Sequence, residues 1–230
     1  MNNKLWVWGY VPDKVPGMMP FVNQETWCSL ETAGSYLRAD NAVYMNSTSD
    51  MNSLNDTLFA CMKDFKQVVC GLQHGKYAET AKAVSRFSLT HPNVTGAIID
   101  DFRDSVGPSA NMSVAELKKV YEALKSENPA LKLYLVRYSR QDQKELIPYL
   151  DYFDVINFWV STDHYWRSLY HYDIEEIHKL GKPVMQGTFM HNYGEDWDQP
   201  IPMDMLRLQC PKIADEIRTG MVDDWIILQN

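Results

Sequence analysis

The chain has 230 residues, 45% of them hydrophobic and 23% charged, enough to bury a sizeable core without disulfides or metals. Its formal net charge of −8 and pI of about 5.2 argue against nucleic acid or an anionic membrane as partner, because both select basic faces. No apolar run approaches the ~20 residues that span a bilayer, and the opening MNNKLWVWGYVP lacks the charged-then-apolar form of a signal peptide; localisation stays open, since a leader can be removed.

In chain order the reading is strand, loop, helix, repeated. KLWVWGYV (4–11) is a first strand, and residues 24–37 form a weak helix around Trp27, Leu30 and Leu37. NAVYMN (41–46) is a second strand. Ser53 to Asp56 has the form of a capping box, with Leu54, Leu58, Met62 and Phe65 following at helical spacing. KQVVCGLQH (66–74) is the third strand, with a helix over 76–90, and VTGAIID (94–100) is the fourth. Ser113 and Glu116 form a second capping box ahead of an apolar face of Leu117, Val120, Tyr121 and Leu124. LKLYLVRY (131–138), a short helix over 143–150, and DVINFWV (154–160) come next. A helix around 173–180 stops at Gly181, KPVMQGTF (182–189) is the seventh strand, a helix over 203–219 stops at Gly220, and DWIILQ (224–229) is the eighth.

No Pro- or Gly-rich linker divides this series, so residues 1–230 read as one domain. Near-continuous apolar strands alternating with helices imply parallel pairing under a helical cover. Eight such units predict a (β/α)₈ TIM barrel. A doubly wound open sheet is the competing arrangement, but no G-x-G-x-x-G follows the first strand and no phosphate-cradling G-x-x-x-x-G-K-[ST] occurs. The sequence stops at Asn230, directly after the eighth strand, so the final covering helix of a standard barrel is expected to be missing. A homodimer through the uncovered flank of strands eight and one would cover it.

Barrel enzymes place their chemistry at the carboxyl ends of the strands. Those ends offer Trp8 and Tyr10, Tyr44 and Asn46, Gln73 and His74, Asp100, Asp101 and Arg103, Arg137, Tyr138 and Arg140, Asn157 and Trp159, Gln186, Thr188, His191 and Tyr193, and Gln229. The strand starts are plain aliphatics. Polar groups at interior depth cost free energy unless paired, so this asymmetry points to a mouth that binds something polar; a self-satisfied polar plug is the structural alternative. Asn157, Gln186 and Gln229 are expected in the pore, as poor neighbours for covering helices. Strand alternation puts Asp100 with Ile98 and Asp101 with Ile99, so one aspartate should face the pore and the other the loop, bonded to backbone N–H groups or to Arg103. A salt bridge from the pore-facing aspartate to Arg137 would make it architecture and hold its pKa low.

A glycosidase needs a second carboxylate across the scissile bond, which a loop must supply: Asp50, Asp163, Glu195 or Asp196, with Glu195 in the run Glu195–Asp198 the best placed. That run also reads as a solvated acidic loop. His74, His164 and His191 could meet at the mouth with an aspartate, yet no H-x-H or H-E-x-x-H spacing supports a metal, and no metal or cofactor is expected. No G-x-S-x-G elbow marks an acyl-transfer nucleophile. Cys28, Cys61, Cys70 and Cys210 form no CxxC or zinc spacing. Sequons at Asn46, Asn55, Asn93 and Asn111 matter only in a glycosylating host. Trp8, Trp27, Trp159, Trp166 and Trp197 fall near strand ends, where aromatic faces either stack on sugar rings or pack the loops.

VWGYVP, AVYMNS, GAIIDDFRD, LVRYSRQ, DVINFWV, MQGTFMHNYG and WIILQN together resemble a group of largely uncharacterised bacterial proteins with glycoside-hydrolase-like (β/α)₈ barrels, over nearly the whole chain. The resemblance implies a carbohydrate-oriented mouth with GAIIDDF as its strand-four motif, and supplies no catalytic pair. The expected function is hydrolysis of a small-molecule or oligosaccharide ligand by Asp100 or Asp101. Arg137, Asn157, Gln186 and Gln229 would position the substrate, Trp159 and Tyr10 would stack on it, and Trp8, Asn46, Gln73, His74, Tyr138 and His191 would complete the mouth. The alternatives are a non-catalytic sugar-binding barrel and a metal-dependent sugar isomerase or lyase.

Overall fold

A computed structural model describes residues 4–10, 29–45, 54–105, 107–192 and 196–228. Eight parallel strands close into a barrel: β1 (Leu5–Tyr10), β2 (Asn41–Met45), β3 (Gln67–Gly71), β4 (Val94–Ile99), β5 (Lys132–Tyr138), β6 (Val155–Trp159), β7 (Val184–Phe189) and β10 (Asp224–Leu228). The last of these closes the sheet on the first, with Leu5 opposite Trp225 and Trp8 opposite Leu228. The helices of the outer layer are α1 (Leu30–Leu37), α2 (Asp56–Phe59), α3 (Tyr77–Phe87), α4 (Val114–Leu124), α5 (Asp163–Ser168), α6 (Tyr170–His178) and α7 (Met203–Thr219). The predicted (β/α)₈ barrel is the fold.

Local chemistry sets the helix ends. Ser113 Oγ accepts the Glu116 N–H at 3.3 Å while Glu116 accepts the Ser113 N–H at 2.7 Å, the predicted reciprocal cap of α4. Gly220, at φ +82°, closes α7 in the left-handed region that glycine reaches without strain. Residues 143–152 wind as a 3₁₀ helix rather than an α-helix, because Pro148 lacks an N–H and its ring crowds the carbonyl four residues back. Two elements were not expected: α5, capped by Thr162 on the Tyr165 N–H, and an antiparallel hairpin of β8 (His191–Asn192) and β9 (Asp196–Pro200) after β7.

Strand alternation divides the core into two layers. Val7, Tyr44, Cys70, Ile99, Leu135, Phe158 and Val184 face outward against the helices. Trp6, Trp8, Val43, Met45, Val69, Ile98, Tyr134, Val136, Tyr138, Trp159, Met185, Phe189 and Leu228 fill the pore. Glycine makes room at one crowded point: a Cβ on Gly187 would lie 2.2 Å from the Trp159 ring. The pore is therefore packed with aromatics that only its carboxyl-terminal end could expose to a ligand.

Candidate active site

The period of β4 carries Ile98 into the pore, and Asp100 follows it two residues on. The strand then stops, since Asp101 takes φ +50° and Arg103 φ +55°. Aspartate tolerates this left-handed conformation better than most residues, and the turn overrides the alternation that would have sent Asp101 away. Its Oδ1 accepts a 2.5 Å hydrogen bond from the Tyr138 hydroxyl, which belongs to the pore layer. Both carboxylates therefore reach the mouth, where only one was expected.

The following loop locks this turn. Ser109 Oγ donates to the Asp101 carbonyl at 2.8 Å and accepts the Arg103 N–H at 3.2 Å. Gly107 passes so close that a Cβ there would sit 3.0 Å from Asp101 Cβ. Arg103 turns outward, donating to the Met112 carbonyl at 3.2 Å and the Tyr149 hydroxyl at 3.0 Å. Arg140 pairs with the buried Asp104 and lies 4.2 Å from the centre of the Tyr138 ring.

Burial pushes the Asp100 carboxyl up to about 8, the Asp101 carboxylate beside it adds to the rise, and the Asp101 N–H bonded to Asp100 Oδ1 at 3.0 Å opposes it. Burial likewise pushes Tyr77 up to about 12, and both aspartates add to that rise against a hydrogen bond with Ser109. Burial pulls His74 below its ordinary value, with Asp101 pulling the other way. Across the mouth Trp8 meets Trp159 edge to face at 5.8 Å, and Phe189 lies 4.7 Å from Trp159. Trp8 and Trp159 are only 4% and 3% exposed, so they form a floor rather than an open stacking platform. His191 meets Phe189 ring to ring at 5.8 Å, and burial holds its pKa below the usual value.

Gln186, expected in the pore, and Arg137, expected to reach substrate or an aspartate at the mouth, lie elsewhere. Arg137 shares the outward face of Leu133 and Leu135 and is fully buried. It donates to the Phe102 carbonyl at 3.1 Å and the Asp142 carbonyl at 2.8 Å, and lies 3.6 Å from Glu145. It therefore pairs with neither Asp100 nor Asp101. The turn after β4 offers the Phe102 carbonyl and the entry to the 3₁₀ segment outside β5 offers the Asp142 carbonyl, which together satisfy a buried guanidinium. Gln186 shares the outward face of Val184, where its Nε2 donates to the Gly187 carbonyl at 2.9 Å. Asn157 is in the pore as expected, but Oδ1 accepts the Trp159 indole N–H at 2.7 Å and Nδ2 donates to the Met185 carbonyl at 3.1 Å. Its amide thus holds the Trp159 ring. Asp163 pairs with Arg167 at 2.6 Å. Asn46, Asp50, Tyr193, Glu195 and Gln229, and the side chains of Tyr10 and Asp196, lie outside the described residues.

Gln73 and His74 follow the end of β3 at Gly71, with His74 close enough to Asp101 to feel its charge. Tyr77 and Ser109 were missed. Tyr77 opens the helix after β3, and a reading extended from strand ends to first helical turns would have found it; Ser109 acts through a turn that no motif announces. Among the described residues no group of three His, Cys, Asp or Glu side chains could hold a metal ion, and no helix is long and apolar enough to cross a membrane.

The fold and this mouth define a (β/α)₈ barrel with a carboxylate pair at the end of its fourth strand. No family model and no curated protein matches the sequence. Solved structures do match in fold. A protein assigned as an α-L-fucosidase from Bacteroides thetaiotaomicron aligns over 99% of this chain and 86% of its own, with TM-score 0.63 and 10% identity. A psychrophilic glycoside hydrolase family 10 endo-β-1,4-xylanase aligns over 100% and 86%, with TM-score 0.57 and 11% identity. The tryptophan synthase complex of Pyrococcus furiosus aligns over 98% and 86%, with TM-score 0.56 and 9% identity. The neighbours thus include glycoside hydrolases and other barrel enzymes, and at these identities the likeness is one of fold.

Proposed function

We propose that the protein hydrolyses a glycosidic bond, with Asp100 as the general acid. The observation that supports this is a carboxyl set at the mouth beside a second one, with Asp101 held by Tyr138; burial and the neighbouring carboxylate push the Asp100 pKa up, which favours a transferable proton at neutral pH. In the step proposed, Asp100 gives its proton to the leaving glycosidic oxygen as the C–O bond breaks and the anomeric carbon gains positive charge. Water adds to that carbon, and its proton returns the site to the starting state. Asp101 beside Asp100 favours the protonated form before the step and its recovery afterwards. Tyr138, donating to Asp101, fixes the geometry of the pair.

A screen of aryl glycosides and oligosaccharides tests the reading. Asp100→Asn should lower kcat by at least ~100-fold on any substrate found, and the alkaline limb of kcat/KM should fall near pH 8. Full activity in the Asp100→Asn, Asp101→Asn double variant would refute it. A second reading, a sugar-binding barrel without turnover, is favoured by Asp163, whose pairing with Arg167 withdraws one candidate for the opposing carboxylate; saturable sugar binding with no hydrolysis would establish it.

A further inference from the structure

Three features of the mouth are not absorbed by acid catalysis alone. The first is Gln73. Gly71 pairs with Ile98 across β3 and β4, so two residues on Gln73 stands beside Asp100 on the pore side. It is 9% exposed, and its Oε1 is enclosed with no hydrogen-bond partner among the described residues. The second is His74, whose Nε2 is also enclosed and has no partner among the described residues, while its ring packs against Tyr77 at 6.1 Å. Buried polar atoms without partners are destabilising and are retained where something else satisfies them. Amide oxygen accepts only, and neutral imidazole nitrogen accepts or donates according to tautomer. A hydroxyl, which does both, complements either.

The third feature is how the cations are used. Arg103 and Arg137 are turned outward and bonded to backbone carbonyls. Arg140, the one that reaches Tyr138, is paired with Asp104. Lys76, at the start of α3, is exposed and makes no ion pair among the described residues; a hydrated ammonium on a flexible stem is a poor fixed receptor for an anion. The described mouth thus holds two carboxyl groups and, beside them, two enclosed orphan polar atoms, with no arginine free among the described residues to meet a negative charge.

Resting on the carbohydrate reading above, we infer that the mouth selects an uncharged, hydroxyl-bearing sugar. A hydroxyl of the unit seated beside Asp100 bonds Gln73 Oε1 and His74 Nε2. Units carrying a carboxylate, sulfate or phosphate at that position are rejected by the aspartate pair. Gln73 and His74 are then specificity-determining residues, distinct from the group that moves the proton.

The test uses matched pairs: aryl hexosides against the corresponding aryl hexuronides for turnover, and neutral against uronate-containing oligosaccharides for calorimetric binding to the native protein and to Asp100→Asn. The neutral member should be favoured by at least ~100-fold in kcat/KM or affinity. Gln73→Met should lower affinity for the neutral sugar about 10-fold, the usual scale for one lost hydrogen bond. Gln73→Asn serves as a second variant that keeps the polarity but shortens the reach. An acidic sugar handled as well as its neutral twin, or folded Gln73 variants with unchanged affinity, would overturn the inference. Acidic sugars cleaved in an Asp100-dependent way would overturn it while sparing the hydrolase reading. Neutral sugars bound selectively but never cleaved would sink the hydrolase reading and sustain this one. Absence of binding and turnover for every pair would overturn both.

Discussion

Replacing Asp100 by asparagine separates its proton from its shape. Asn keeps an oxygen to accept the Asp101 N–H at 3.0 Å and an N–H₂ where the protonated acid has its O–H, but it cannot ionise. The native carboxyl is raised from 3.8 to about 8. Below pH ~4 both folded and unfolded chains hold the proton and the site contributes no pH dependence. Between pH ~4 and ~8 the unfolded chain releases it and the folded chain does not, so native stability falls as pH rises, and levels off above the folded value. The full rise is worth at most about 6 kcal/mol at ~1.36 kcal/mol per pH unit. Asp100 retains some solvent contact, and its coupling to Asp101 spreads the effect, so about 2–4 kcal/mol is expected. Urea unfolding followed by tryptophan fluorescence, at intervals from pH 3.5 to 9, measures it. Asp100→Asn should match the native protein at the acid end and exceed it by that margin at pH 8.5, with activity lost throughout. Parallel stability curves, or a variant weaker at pH 8.5, would refute the assignment of a retained proton to Asp100.

Tyr138→Phe removes the 2.5 Å bond to Asp101. A hydrogen bond to a charged group contributes about 1.5–3 kcal/mol to stability, so the melting temperature should fall by several degrees, and kcat/KM measured well below it should fall about 10-fold or more; an unchanged rate would mean that the pair needs no fixing. Gly187→Ala drives a methyl group into the Trp159 ring, 2.2 Å away. It should cost about 1–3 kcal/mol and shift the tryptophan emission, and a native-like spectrum and stability would show that the ring has room to move. Arg137→Met removes the guanidinium bonds to the Phe102 and Asp142 carbonyls, which keep Gln141 Nε2 and the Glu145 N–H as donors, and should cost about 1–3 kcal/mol in denaturant titration. The folded fraction should retain its KM, whereas a large rise in KM at unchanged stability would restore Arg137 to substrate binding.

The barrel was legible because its signals are local and repeated. Each strand is a short apolar run with period two, and Ser113–Glu116 and Gly220 mark helix ends through bonds made within a turn. The irregular cover was not legible in the same way. Pro148 forces a 3₁₀ path outside β5, and that path is why Arg137 is satisfied on the outer face. The premise that polar residues of a strand belong in the pore fails wherever the covering layer offers carbonyls that an outward side chain can reach. Gln186 fails for a related reason, since its amide caps the carbonyl of the next residue in its own strand. On the pore side Asn157 and Trp159 face inward, and Asp100 follows Ile98 of the pore layer, although Asn157 spends its amide on Trp159.

Two adjacent carboxylates on a straight strand cannot share a site, because alternation points them to opposite faces. Here they share one because the strand ends just before them and the chain turns at Asp101. The left-handed turn at Asp101 is an uncommon conformation for a residue with a side chain, and several bonds hold it there: Ser109 to its carbonyl, Asp104 N–H to the same carbonyl at 3.0 Å, and Tyr138 to its carboxylate. A backbone so fully constrained in an unfavoured region commonly serves a site. Its effect at this site is electrostatic. Turned away, Asp101 would leave Asp100 raised by burial alone; turned in, it adds like charge to a group already short of solvent. The turn therefore couples a backbone choice to the proton that the proposed chemistry needs, and a variant that relaxes the turn should lower the Asp100 pKa before it alters the barrel.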